Sequence, residues 1–478
     1  MNDPTDEWHH LTIMELATRI RRRAMSPVAL THAQLERIAA LDRDLSSYAR
    51  VMADSAIAQA STAEAELAAG RYRGPLHGIP IAVKDLFWTA GVPTSAGMAV
   101  HRDFVPAEDA TVVRRLREAG AVLLGKLQLT EGAYSEHHAS VIAPKNPWDA
   151  AYWPGISSSG AGVATAAGLC YGAIASDTGG SIRWPSAANG VTGLKPTWGR
   201  VSRHGMFALA PTLDHVGTMA RSAADAGALL WAIAGADTAD PSAAQCRVPD
   251  TPTSATQDLR GLRLGIDPAW NGDDVDPGVL RVVAEAIAAL CELGARIVPV
   301  RMPAMDQAVA DWAPLCAVEA AVAHEATYPA QAHAYGPVLA SVVARGRTLT
   351  AVDHHKLLMR RLALRGRVDA LWAHIDVLLT PVHPLPPPTL AGMQTLGERP
   401  ELVAKLQRYT CPFNLTGHPA LTLPGGVGDG GMPIAFQLVG RHMGEPTLLR
   451  AGTAYQGITP WHRRHPEAWI DGLQARSR

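Results

Sequence analysis

Cysteine is sparse in this 478-residue sequence. The five residues, Cys170, Cys246, Cys291, Cys316 and Cys411, are scattered and odd in number. No C-x-x-C pair or Cys/His cluster occurs, which argues against a disulfide framework and a zinc site and favours a reducing, cytoplasmic setting. Aromatic residues make up only 5% of the chain, and no uncharged apolar run is long enough to span a bilayer. The opening residues Met1 to Glu7 are acidic and polar, the opposite of a secretory leader. Neither sign of charge is in excess: 43 Lys and Arg face 44 Asp and Glu. The chain therefore carries no electrostatic footprint for nucleic acid or an anionic membrane. Three nucleotide and hydrolase patterns are missing from the stretch Trp153 to Arg200. No G-x-x-x-x-G-K-[ST] or G-x-G-x-x-G occurs there, and Gly180-Ser181-Ile182-Arg183-Trp184 lacks the second Gly of G-x-S-x-G. What is present is 47% apolar and 18% charged residues, enough for a sizeable core.

Lysine is also scarce, with only Lys84, Lys126, Lys145, Lys195, Lys356 and Lys405. Lys84 interrupts the apolar β-type run Ile79 to Phe87. Neighbours on a strand face opposite ways, so Lys84 and Asp85 should not neutralise each other. A lysine on the apolar side loses hydration, and its pKa of about 10.4 then falls toward the ~7–8 of a general base. The plain alternative is a lysine at a strand end whose ammonium reaches solvent.

The stretch Trp153 to Arg200 holds two Ser/Gly-rich segments, Pro154 to Gly162 and Ser176 to Ile182, joined by small apolar residues. Such stretches are usually turns or linkers. Yet glycines permit close backbone approach, and Asp177-Thr178-Gly179-Gly180-Ser181 sets a candidate nucleophile beside a candidate oxyanion hole.

Around these segments the pattern alternates between helix and strand. Thr12 to Asp42 predicts two helices, Met52 to Ala69 a third, and Ala110 to Ala119 a helix stopped by Gly120 before a strand at Ala121 to Leu124. That order is the grammar of α/β layers. Ala234 to Asp258 has no periodicity and reads as a surface connection. Leu262 to Ile266, Pro277 to Leu293 and Arg296 to Val300 predict a βαβ unit, the helix burying Leu280, Val283, Ile287 and Leu290. Met302 to Val352 reads as helical, with Trp312 as core. His333, His354 and His355 read as surface residues. The apolar run Met206 to Leu209 and the surroundings of Trp312 lean toward an apolar or aromatic substrate.

The motifs together resemble the amidase signature family of serine hydrolases. Lys84-Asp85 followed by Thr89, Gly91, Thr94 and Gly97 is similar to its K-D-x-x-x-T-x-G-x-x-T-x-x-G segment. Pro154 to Gly160 resembles its P-G-G-S-S-G-G loop. Ser176 to Arg183, Gly193 to Thr197 and Gly199-Arg200 resemble the second half of the signature. Ile156 and Ser159 depart from the usual small residue and glycine, and Gln128 stands where Asn is common. The likeness runs over nearly the whole chain.

The resemblance implies one α/β/α layered domain over 1–478, its central mixed sheet flanked by helices. Within it would lie an N-terminal helical region (1–70), a signature core (75–225) and a variable pocket region (302–400). It implies a Ser181 nucleophile, a bridging Ser157 beyond a cis Ile156–Ser157 bond, and a Lys84 base. The N–H groups of Thr178, Gly179, Gly180 and Ser181 would form the oxyanion hole. Ser158, Asp177 and Arg183 would support the site, with Arg183 in a structural ion pair and Asp214 structural too. No cofactor or metal is called for. Phe413 to Pro419 and Pro433 to Gln437 match the closing strands, and the Pro-rich His383 to Pro388 would form part of the site rim. The implied activity is cleavage of a C–N bond in a small amide or carbamate by a monomer or homodimer. The alternative is the glutaminase component of a tRNA-dependent amidotransferase.

Overall fold

The buried apolar runs of the sequence become the strands of one sheet. The computed structural model describes residues 8–243, 258–466 and 470. Its eleven strands are β1 (Tyr48–Val51), β2 (Pro80–Lys84), β3 (Val122–Leu127), β4 (Gly172–Asp177), β5 (Thr192–Lys195), β6 (His215–Ala220), β7 (Arg263–Ile266), β8 (Arg296–Pro299), β9 (Val377–Pro381), β10 (Ala420–Val427) and β11 (Pro433–Gly440). They lie in the order β1-β3-β2-β4-β6-β5-β10-β11-β9-β7-β8. β3, β2 and β4 run parallel to one another, as do β9, β7 and β8, whereas the strands between are antiparallel. The sheet is thus mixed, with helices on it, as the resemblance implied. Every residue of β2, β3, β4, β5, β6 and β9 is buried. Strands covered on both faces read as continuous apolar runs rather than as alternation.

Helices follow the expected starts and stops. Ile13–Arg21 opens with a capping box from Thr12 to Glu15, and Pro27–Leu45 starts from Ser26, whose hydroxyl accepts from Ala29 N. The region 1–70 is not helical throughout, because β1 pairs antiparallel with β3 at the sheet edge. The expected βαβ unit joins the same sheet, with β8 as its exposed edge. Its helix Pro277–Glu292 is rotated from the expected face: Val279, Val282, Val283, Ala286 and Leu290 are buried, while Leu280 and Ile287 are only half-buried. Val282 packs over Gly425 and Gly426 of β10, and this contact sets the helix's rotation.

Phe413 and Asn414, expected with the closing strands, lie instead in the short helix Cys411–Leu415, and the strand begins at Ala420. Of the expected surface connection, residues 244–257, with Cys246, lie outside the described residues. Its described beginning is anchored, with Ala234 and Ala243 buried.

Candidate active site

Parallel pairing of β2 with β4, with Ala82 opposite Ala173 and Val83 opposite Ile174, brings their carboxyl ends to one edge. Lys84 ends β2, and Ser176 and Asp177 end β4. The crevice beyond carboxyl ends is where open α/β sheets place their chemistry.

Lys84 is fully buried, so the solvent-reaching alternative does not hold. Its Nζ lies 2.7 Å from Ser157 Oγ, 2.9 Å from Ser158 Oγ and 3.0 Å from Ser176 Oγ. Burial lowers its pKa to about 7, against a smaller opposing pull from Asp177 and Asp214. Asp85 faces the other way, its Oδ1 lying 3.3 Å from Lys126 Nζ. The alternation expected for adjacent strand residues therefore keeps a carboxylate off the Lys84 amine.

The hydroxyls around Lys84 are not equivalent. Ser158 Oγ donates to the Ser176 carbonyl at 3.1 Å, so toward Lys84 it can only accept. No such engagement holds the Ser157 proton among the described residues. The Ile156–Ser157 peptide is cis. Ser158 N donates to the Ser181 carbonyl at 3.3 Å, tying the two Ser-rich segments together.

Asp177 and Arg183 fix the loop between them. The fully buried Arg183 guanidinium donates to Asp177 through Nε (3.0 Å) and Nη2 (2.9 Å), and also to the Thr410 carbonyl and Asn414 Oδ1. Asp177 accepts from the backbone N–H of Ile182 at 3.1 Å. Burial alone would raise its pKa, but the Arg183 ion pair holds the carboxyl well below the usual range. Thr178 Oγ1 donates to Asp214 Oδ1 at 2.7 Å, which pins the next residue.

Ser181, at 6% exposure, is the most open serine of the two segments. Gly180 has φ +148°, and a Cβ there would lie 2.5 Å from the Trp184 ring. Only glycine fits so close an approach. Ile156 and Met393 pack on a cluster of Trp153, Trp184, Ala187, Val382 and Ala435. His383, from the Pro-rich segment, packs tilted against Trp153 and Trp184.

Two residues of the site escape sequence reasoning. Ser176 reads there only as one letter of a longer motif, although strand alternation signals it once β2 and β4 are known to be neighbours. Asn414 reads as a strand residue, yet it donates to the Asp177 carbonyl and carboxylate from 237 residues away, and no local pattern signals that. One further cluster, Asp369, His418 and His442, brings its ligand atoms within 4.8 Å. There His418 Nε2 already accepts from Trp372 Nε1 at 2.8 Å, and Asp369 faces Arg365.

The Amidase family model matches residues 29–449. The chain belongs to the amidase family. The "Putative amidase AmiD" of Mycobacterium tuberculosis is 47% identical over 95% of this chain and 96% of that protein. A glutamyl-tRNA(Gln) amidotransferase chain of Moorella thermoacetica is 36% identical over 97% of this chain and all of that protein. The solved peptide amidase of Stenotrophomonas maltophilia superposes with a TM-score of 0.80 at 32% identity, covering 93% of this chain and 96% of that one. The protein is an amide-hydrolysing enzyme of the amidase signature fold. Among its described residues, no helix is long and apolar enough to cross a membrane.

Proposed function

We propose that this amidase cleaves small amides through an acyl-enzyme on Ser181, with Ser157 as proton relay and Lys84 as base. The observation that carries the reading is the fully buried Lys84 amine, its pKa drawn down to about 7 and its Nζ held 2.7 Å from Ser157 Oγ. A neutral amine donates two protons and accepts one. Ser158 is confined to accepting from it. Of the two hydroxyls that remain, Ser157 at 2.7 Å is nearer to the nitrogen than Ser176 at 3.0 Å and is taken as the one that passes its proton.

In the acylation step Lys84 takes the Ser157 proton and Ser157 takes that of Ser181. A bond forms from Ser181 Oγ to the carbonyl carbon. The N–H groups of Thr178, Gly179, Gly180 and Ser181 stabilise the oxyanion. The proton then returns through Ser157 to the nitrogen as the C–N bond breaks, releasing the amine. Water, activated by the same relay, hydrolyses the ester.

The site suits an uncharged substrate with an apolar or aromatic group. Ile156, Trp184 and Met393 share one apolar cluster, and the nearby Arg183 is committed to Asp177. Apolar pockets with a few polar anchors bind such ligands. Phe207, from the apolar run Met206 to Leu209, packs with Trp88, His101 and Phe104. Aryl amides come first, with aryl carbamates attacked in the same way. The amidotransferase alternative is weaker, since the likeness to the amidotransferase relative is 36% against 47% for the amidase relative.

The test is product release from an acyl 4-nitroanilide, an aryl carbamate and glutamine, with wild type run beside Ser181→Ala. Cleavage of the anilide or carbamate by wild type alone is expected. Release of ammonia from glutamine only, or full activity in Ser181→Ala, would overturn the reading.

A further inference from the structure

Five consecutive carbonyls on the Ser181 loop each receive a hydrogen bond from outside it. The Asp177 carbonyl accepts from Asn414 Nδ2 at 3.0 Å and the Thr178 carbonyl from Trp312 Nε1 at 2.8 Å. The Gly179 carbonyl accepts from Cys411 Sγ at 3.3 Å, that of Gly180 from Trp184 N at 2.7 Å, and that of Ser181 from Ser158 N at 3.3 Å. A trans peptide is planar, with its N–H opposite its C=O. Holding a carbonyl outward therefore aims the next residue's N–H inward. Among the described residues, the N–H groups of Thr178, Gly179, Gly180 and Ser181 have no protein acceptor.

We infer that Trp312 and Cys411 are positioning residues for the oxyanion hole, acting through the peptide planes Thr178–Gly179 and Gly179–Gly180. Trp312 also crowds the loop, where a Cβ on Gly179 would come within 2.6 Å of its ring and 3.3 Å of Cys411 Sγ. The pair fixes both the position and the rotation of the two glycine peptides, which have no side chains to fix themselves. A hydrogen bond on the carbonyl further polarises the amide and strengthens its N–H as a donor. Burial raises the Cys411 pKa, so the thiol keeps its proton and remains a donor. Both residues come from the C-terminal half, 134 and 232 residues from the carbonyls they hold. The oxyanion hole is thus a composite of the signature segment and the rest of the chain.

This inference rests on Ser181 as nucleophile, so the test begins by labelling wild type with an aryl sulfonyl fluoride and locating the adduct. Trp312→Phe keeps an aromatic ring, though a smaller one, and deletes the N–H. Direct loss of an oxyanion donor costs ~10²–10³ in kcat, and loss of its support should cost less, about tenfold. On the acyl 4-nitroanilide the expected result is that drop in kcat with KM within twofold. An aryl boronic acid, whose tetrahedral adduct mimics the intermediate, should weaken by the same factor. Cys411→Ala should lose about threefold in kcat and Cys411→Ser, which restores a donor, should recover it.

Labelling of Ser181 with unchanged kcat in Trp312→Phe overturns the inference alone. So does a loss carried by KM, or one without weaker boronate binding. Absence of the label from Ser181, with activity kept in Ser181→Ala, overturns the mechanism and this inference together.

Discussion

Two buried lysines on neighbouring strands have opposite surroundings. Lys84 on β2 meets three serine hydroxyls. Lys126 on β3 meets the Phe87 carbonyl at 2.6 Å, Thr94 Oγ1 at 2.8 Å and the Asp85 carboxylate at 3.3 Å. Burial lowers both pKa values, to about 7 for Lys84 and, with Asp85 opposing, to about 8 for Lys126. Desolvation by itself therefore does not make a base. A carbonyl and a carboxylate have no proton to give and stabilise the ammonium, whereas the Ser157 hydroxyl can give one up. The surroundings of Lys126 make a structural tie, and those of Lys84 are suited to proton transfer.

Four experiments sharpen that contrast. Lys84→Ala should lower kcat of the anilide reaction by ~10²–10⁴, the range of a general base, with melting temperature little reduced. Retention of activity would put Lys84 on the same footing as Lys126. Lys126→Met should do the reverse. It leaves the Asp85 carboxylate buried without its partner, a loss of about 3–5 kcal/mol in stability by denaturant titration, while kcat of the folded enzyme stays close to wild type.

The pH profile separates the pair without mutation. Lys84 is neutral, and so able to accept, above about 7. kcat/KM should rise about tenfold per pH unit below that value and level off above it. A rate independent of pH across that range would remove Lys84 as the titrating group. The smallest effect is expected from Ser158→Ala. Its hydroxyl accepts from the amine and favours the ammonium, so its loss should move the acidic limb slightly to lower pH. A move to higher pH would show Ser158 acting as a donor to Lys84.

Much of this is legible before folding. Gly120 and Gly70 stop their helices at positive φ as expected, and the motifs around Lys84, Ser157 and Ser181 identify the segments that meet at the sheet edge. Those ordered motifs carry the signal because the chemistry needs particular residue types in a local arrangement. The rotation of Pro277–Glu292 is not legible: a helix rich in Val, Ala and Leu offers more than one apolar face, and contact with Gly425 and Gly426 chooses between them. Helical spacing predicts Trp312 as core. It is buried, in line with that reading, yet its indole N–H also reaches the Thr178 carbonyl.

The sequence by itself determined the family, the alternation of helix and strand around β2 and β3, and the loop that carries Ser181. Those follow from hydrophobicity, backbone freedom and side-chain chemistry, which act over a few residues. Only the tertiary structure decided that Ser176 joins Ser157 and Ser158 on Lys84, that Asp85 turns to Lys126, and that Trp312, Cys411 and Asn414 hold the loop's carbonyls. Those contacts depend on strand register and on chain segments far apart in sequence, separations over which spacing carries no information about direction.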